Sequence, residues 1–252
     1  MDLVILTALG VGGATVIGAL IGFAFGGLSH KFSDIILSFA AGVMLAAAVL
    51  GLVIPSVEHG GGAKALPVTV IGIFLGALTV NALDKLVPHL HKLSGIDQEK
   101  HPESGKVDKI LLFVLAIAIH NFPEGIAAGV GFGTGDVTDG IIIAAGIALQ
   151  NIPEGMVIIA PMLSAGISRR RTFLIAASTG AVEVLGTLIG YFAVTLSQAV
   201  LPFALAFAGG TMLYVISDEM IPETHTHGSE RGATYALLIG FCLMLAMDVL
   251  MG

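Results

Sequence analysis

Eight long apolar runs constrain this chain more than anything else in it. They lie at about Leu3–Gly27, Ile35–Ile54, Pro67–Val87, Lys109–Gly131, Gly140–Met162, Thr172–Thr195, Val200–Met220 and Thr234–Met251. A helix of about 20 apolar residues crosses the ~30 Å hydrocarbon core of a bilayer. Only 12% of the 252 residues are charged, too few to cover a soluble domain of this length. The sequence therefore predicts an all-α membrane protein with eight transmembrane helices, folded as one domain over residues 1–252. Its first run lacks a basic leader and is too long for a signal-peptide core, so it reads as a span.

Charge placement gives an orientation. Ten of the eleven Lys and Arg residues fall on one face: Lys31, five lysines at or between runs 3 and 4, Arg169–Arg171 and Arg231. Lys64 alone falls on the other. The positive-inside rule then places both termini outside and the linker of about 88–108 in the cytoplasm. That linker is polar and rich in His, Lys and Glu, and is expected to lack fixed structure. The segment Pro55–Leu66, with three consecutive glycines, is expected to be a flexible loop. No basic stripe suggests nucleic acid, although the net charge is −7. No Gly-x-x-x-x-Gly-Lys-Ser/Thr sequence suggests a nucleotide. The single cysteine, Cys242, has no internal partner for a disulfide.

One hexapeptide recurs. His120-Asn121-Phe122-Pro123-Glu124-Gly125 returns thirty residues later as Gln150-Asn151-Ile152-Pro153-Glu154-Gly155. Both copies start about ten residues into their runs, roughly 15 Å deep at 1.5 Å per residue, near the bilayer centre. Glu183 sits at a similar depth in the sixth run. An ionisable side chain at that depth costs roughly 2.5–3.5 kcal/mol on an insertion scale. His120 and Glu124 are i,i+4 and share a helix face, and Gln150 and Glu154 repeat the spacing. Each proline frees the carbonyl four residues earlier and is expected to kink its helix. Carboxylates, an imidazole and amide oxygens thus converge on one layer. A cation accounts for them together, and the imidazole favours zinc, iron, cobalt or nickel over calcium or magnesium. Without cysteine, the set suits exchangeable rather than structural binding.

The two motifs, on the fourth and fifth of eight runs, closely resemble those of the ZIP (Zrt/Irt-like) metal transporters. The ending SDEMIPETHTH of the seventh run looks like the prokaryotic branch, and the resemblance spans the whole chain. It implies a binuclear centre. His120, Glu124, Gln150 and Glu154 would hold one metal, with Met44 as a thioether contact; Asn121, Asn151, Glu183 and the same two glutamates would hold a second. It also implies inverted repeats of helices 1–3 and 6–8 around helices 4 and 5, an elevator-like motion of helices 1, 4, 5 and 6, and a homodimer. Many relatives carry histidine or a carboxylate in place of Gln150 and Asn151, so the second site is expected to bind more weakly here.

The substrate expected is zinc, with cadmium, iron, manganese and cobalt as further candidates, moved into the cytoplasm across an inner cell membrane. Asp248 near the outer face is a candidate entrance group and Glu219 a candidate exit group. His89 and His91 in the cytoplasmic linker are candidate loop ligands. The competing classes are an intramembrane metal-dependent hydrolase and a metal-selective channel. The hydrolase lacks His-Glu-x-x-His and an evident general base. The channel wants weak sites along a path rather than donors at one depth.

Overall fold

A computed structural model describes residues 1–25, 29–93, 104–164, 166–226 and 228–251, with side chains except at 84, 86–93 and 104–117. These residues form α1 (Asp2–Phe25), α2 (His30–His59), α3 (Leu66–Leu93), α4 (Ser104–Gly131), α5 (Val137–Ser164), α6 (Arg169–Leu196), α7 (Gln198–Thr224) and α8 (Glu230–Met251), with no strand among the described residues. Seven of the eight, all but α4, contain described stretches long and apolar enough to cross a membrane. The eighth, α4, is 28 residues long and carries the first motif. The chain is an all-helical, multi-pass membrane protein. Large apolar side chains such as Leu6, Phe74, Leu185, Tyr235 and Leu238 point outward, as lipid-facing helices require.

Several connections are shorter than the sequence suggests. The expected loop at Pro55–Leu66 is mostly helical: α2 continues to His59 and a 3-10 turn occupies Gly62–Ala65. The reversal falls on Gly61 and Gly62, whose φ angles of 90° and 71° only glycine adopts easily. The expected linker of 88–108 is eroded from both sides, because α3 runs to Leu93 and α4 starts at Ser104. What remains, residues 94–103, lies outside the described residues. Between α4 and α5, Asp136 accepts a 2.8 Å hydrogen bond from the Thr138 N–H and starts the helix at Val137. Bonding to the Thr138 backbone holds its carboxyl below the usual carboxylate range.

Two helices contain π-helical turns that hydropathy does not announce: Ala47–Val53 in α2 and Ile216–Met220 in α7. Each is followed two residues later by a proline, Pro55 or Pro222. A proline has no N–H to close the i→i−4 ring, so the preceding turn relaxes to i→i−5. The Ile54 N–H accordingly bonds to Val49 O, and the Ile221 N–H to Ile216 O.

The helices pack as two groups. In one, α1 lies against α5 and α6, and α4 lies against α6; in the other, α3 lies against α7 and α2 against α8. Within each group the backbones touch. Gly12 and Gly180 each abut the other's carbonyl, and Gly18, Gly76 and Gly240 abut the carbonyls of Ile152, Phe207 and Phe39, leaving no room for a Cβ. Between the groups, the glycines meet side chains instead: Gly51 faces Ile143, and Gly146 faces the thioether of Met244. His59 adds a polar strap, its Nδ1 3.0 Å from Pro55 O and its Nε2 3.2 Å from Thr134 O in the α4–α5 turn.

Candidate metal site

The two motifs sit midway along α4 and α5, each with its proline inside a continuous helix. The helical ladder runs on through both prolines. Removing one N–H costs one hydrogen bond, and tight packing on both sides holds the turn: Pro123 and Pro153 are buried. The motif glycines serve that packing. Gly125 lies against the carbonyl of Glu183 on α6, and Gly155 against the carbonyl of Thr15 on α1.

Four of the six polar side chains of the motifs are buried, as is Glu183, while His120 and Glu154 are part-exposed. Asn121 and Glu124 are each 1% exposed, and Gln150, Asn151 and Glu183 are 0% exposed. Seven motif atoms have no hydrogen-bond partner: both amide atoms of Asn121 and of Gln150, both carboxylate oxygens of Glu124, and Oδ1 of Asn151. Each buried polar group left unsatisfied costs about 1–3 kcal/mol, more when charged. The five oxygens among them suit a cation.

Two sides of this layer differ. On one side a cavity of about 900 Å³ reaches the layer, lined by His120, Glu124, Glu154 and Glu219 and farther out by Asp34 and Glu223. It extends toward the end of the bundle where α2 starts and α5 and α7 finish. His120 leans on Glu219, its Nε2 2.7 Å from Oε1. Glu219 lies in the π turn of α7. Glu124 lies within electrostatic reach of Glu154 and Glu183, with Gln150 beside it, and Glu154 within reach of His120.

The other side is closed by α1. The Thr15 hydroxyl donates to Glu183, 3.2 Å from Oε2 and 3.4 Å from Oε1. The Asn151 Nδ2 donates to Val11 O at 3.1 Å. With His120 drawn to α7 and Glu183 to α1, no three His, Cys, Asp or Glu side chains among the described residues stand together as a ready ligand set.

The remaining expected positions scatter. Met44 is fully buried in the apolar core, ahead of the α2 π turn, and does not line the cavity. Asp248 is part-buried near Asp139 in the first turn of α5, toward the end opposite the cavity mouth. The side chains of His89 and His91 lie outside the described residues. Thr15, Asp34 and the His120–Glu219 pair are legible only in the fold. A single threonine in an apolar run carries no signal, and His120 and Glu219 stand 99 positions apart in the chain.

Comparison with known proteins finds a matching family and several relatives. Residues 97–248 match the family model described as ZIP zinc transporter. The chain is 42% identical to zinc transporter GufA of Myxococcus xanthus, the alignment covering 98% of each. It is 38% identical to zinc transporter ZIPB of Bordetella bronchiseptica, over 95% of this chain and 78% of that one. It is 33% identical to zinc transporter ZIP11 of Homo sapiens, over 95% and 94%.

Proposed function

The chain belongs to the ZIP zinc transporter family, whose relatives are named as transporters rather than enzymes, and from that premise we propose that it carries divalent transition-metal ions, zinc first, into the cytoplasm through the layer on α4 and α5. The observation that carries the reading is the set of unpartnered buried donors on the repeated motif, beside a cavity open toward one end of the bundle. A desolvated carboxylate such as Glu124, without a donor, is stable only if a cation or proton compensates it.

The ion is held by His120, Glu124, Gln150 and Glu154, with Asn121, Asn151 and Glu183 forming the adjoining part of the layer. Cadmium, iron, manganese and cobalt are alternative cargo. Release runs through the cavity. His120 exchanges the ion for Glu219, which receives it on the way out. The mouth of the cavity lies near the start of α6, where Arg169–Arg171 cluster, so the positive-inside rule makes it cytoplasmic and both termini external. The membrane is the inner cell membrane and the working unit a homodimer. The two helix groups suggest the motion. The set of α1, α4, α5 and α6 is locked internally by backbone contacts, meets the other set through side chains, and slides against it to expose the ion alternately to either side.

The test is metal uptake into sealed proteoliposomes, wild type beside Glu124→Ala/Glu154→Ala. Saturable zinc uptake that the double variant loses supports the reading. Equal uptake by both would remove the site from the pathway, and no uptake by folded wild type would reject transport.

A further inference from the structure

Most hydrogen-bonded threonines in these helices bond within their own helix, although Thr69 pairs with the Ser56 hydroxyl and Thr172 has no partner among the described residues. Thr179, Thr187, Thr211 and Thr224 each donate to a backbone carbonyl three or four residues earlier. This is the ordinary way to satisfy a hydroxyl in an apolar helix. Thr15 does not. Its hydroxyl crosses to the Glu183 carboxylate, and the carbonyl four residues before it, Val11 O, is occupied by Asn151. Helix α1 thus presents a donor and an acceptor, one turn apart, to two polar residues of the layer.

The position is not arbitrary. Around Glu183, α6 meets α4 through three glycine contacts, Gly125 on the Glu183 carbonyl, Gly186 on Phe122 and Gly190 on Ile126, and farther along through a fourth, Gly129 on the Thr187 carbonyl. Around Thr15, α1 meets α5 through the same three: Gly155 on the Thr15 carbonyl, Gly18 on Ile152 and Gly22 on Met156. Phe122 and Ile152 are the same place in the two motifs, as are Gly125 and Gly155. A further pair, Gly12 and Gly180, lies three residues before Thr15 and Glu183, and the two touch each other. The α1–α5 crossing therefore repeats the α6–α4 crossing, and Thr15 stands where its counterpart carries a carboxylate.

We propose that Thr15 is a positioning residue of the metal layer: its hydroxyl holds the Glu183 carboxylate against α1, so that the layer takes one tightly bound ion on the cavity side rather than two equal ones. This rests on the metal-transport reading above. A carboxylate at position 15 would face Glu183 with a second negative charge; the hydroxyl instead supplies a donor. Asn151, neutral and tied to Val11 O, adds no charge to that side of the layer.

The test is zinc titration of the purified full chain by calorimetry, with Thr15→Val, Thr15→Ser and Glu124→Ala/Glu154→Ala alongside. Valine keeps the shape and removes the donor; serine keeps the donor. The expected result is one tight equivalent per chain for wild type and Thr15→Ser, and a second, saturable equivalent for Thr15→Val that is lost when Glu183→Gln is added. A wild-type stoichiometry of two tight ions, a Thr15→Val isotherm equal to wild type, or Thr15→Ser behaving like Thr15→Val would overturn it. The double glutamate variant separates the two claims. If it retains wild-type binding, the metal-site reading fails; if it loses binding while Thr15→Val matches wild type, only the role of Thr15 fails.

Discussion

At the scale of single residues, function turns on which buried polar atoms have partners. Glu183 has Thr15, His120 has Glu219, and Asn151 has Val11 O, while Glu124, Asn121 and Gln150 have none among the described residues. A ligand that binds only the folded state stabilises by about 2.7 kcal/mol at a hundredfold excess over its Kd. Zinc should therefore raise the melting temperature of the wild type by several degrees and leave Glu124→Ala/Glu154→Ala unmoved, as read by thermal unfolding in detergent. An equal shift in both would place the stabilising ion elsewhere. The motif residues are legible in the sequence, because a charged hexapeptide repeated at the centre of two apolar runs needs a compensating ion or partner at that depth. Thr15 and Asp34 are not. Thr15 is one polar residue in an apolar stretch and Asp34 one of several at the start of α2, and only the packing of α1 and α2 brings them to the layer or the cavity.

At the scale of elements, the all-helical, multi-span class is legible, because length and hydropathy decide whether a segment can cross a bilayer. The ends are not. Residues at the end of α2, the end of α3 and the start of α4 read as loops, yet once the apolar stretch is helical its polar flanks continue the ladder at little cost. The π turns escape a reading by hydropathy, although their signal is present in Ile54-Pro55 and Ile221-Pro222. Replacing Pro222 restores a donor that lets the turn close as i→i−4, which rotates Glu219 away from His120. Pro222→Ala is expected to keep the zinc affinity of the layer and to lower the maximal uptake rate, measured by titration and by proteoliposome flux on the same preparation. Loss of affinity with unchanged maximal rate would show that Glu219 belongs to the binding set instead of the exit.

At the scale of the whole molecule, two kinds of glycine contact divide the bundle. Gly18 lies on the backbone of Ile152, which cannot yield, whereas Gly146 lies on the flexible end of Met244. Gly18→Ala should overpack a rigid crossing and destabilise by about 1–3 kcal/mol. Gly146→Ala should stay within about 1 kcal/mol of wild-type stability, yet change the uptake rate, because it roughens the surface between the groups. Thermal unfolding and flux assays separate the two, and equal destabilisation by both would argue against a sliding interface. Sliding matters only if the layer on α4 and α5 holds the transported ion, and the most direct check is zinc K-edge X-ray absorption on the purified, zinc-loaded chain. The expected spectrum shows a shell of nitrogen and oxygen donors at about 2.0–2.2 Å, with imidazole scattering that disappears in His120→Ala and a bound zinc that disappears in Glu124→Ala/Glu154→Ala. A spectrum of hydrated zinc, the same in wild type and both variants, would contradict it.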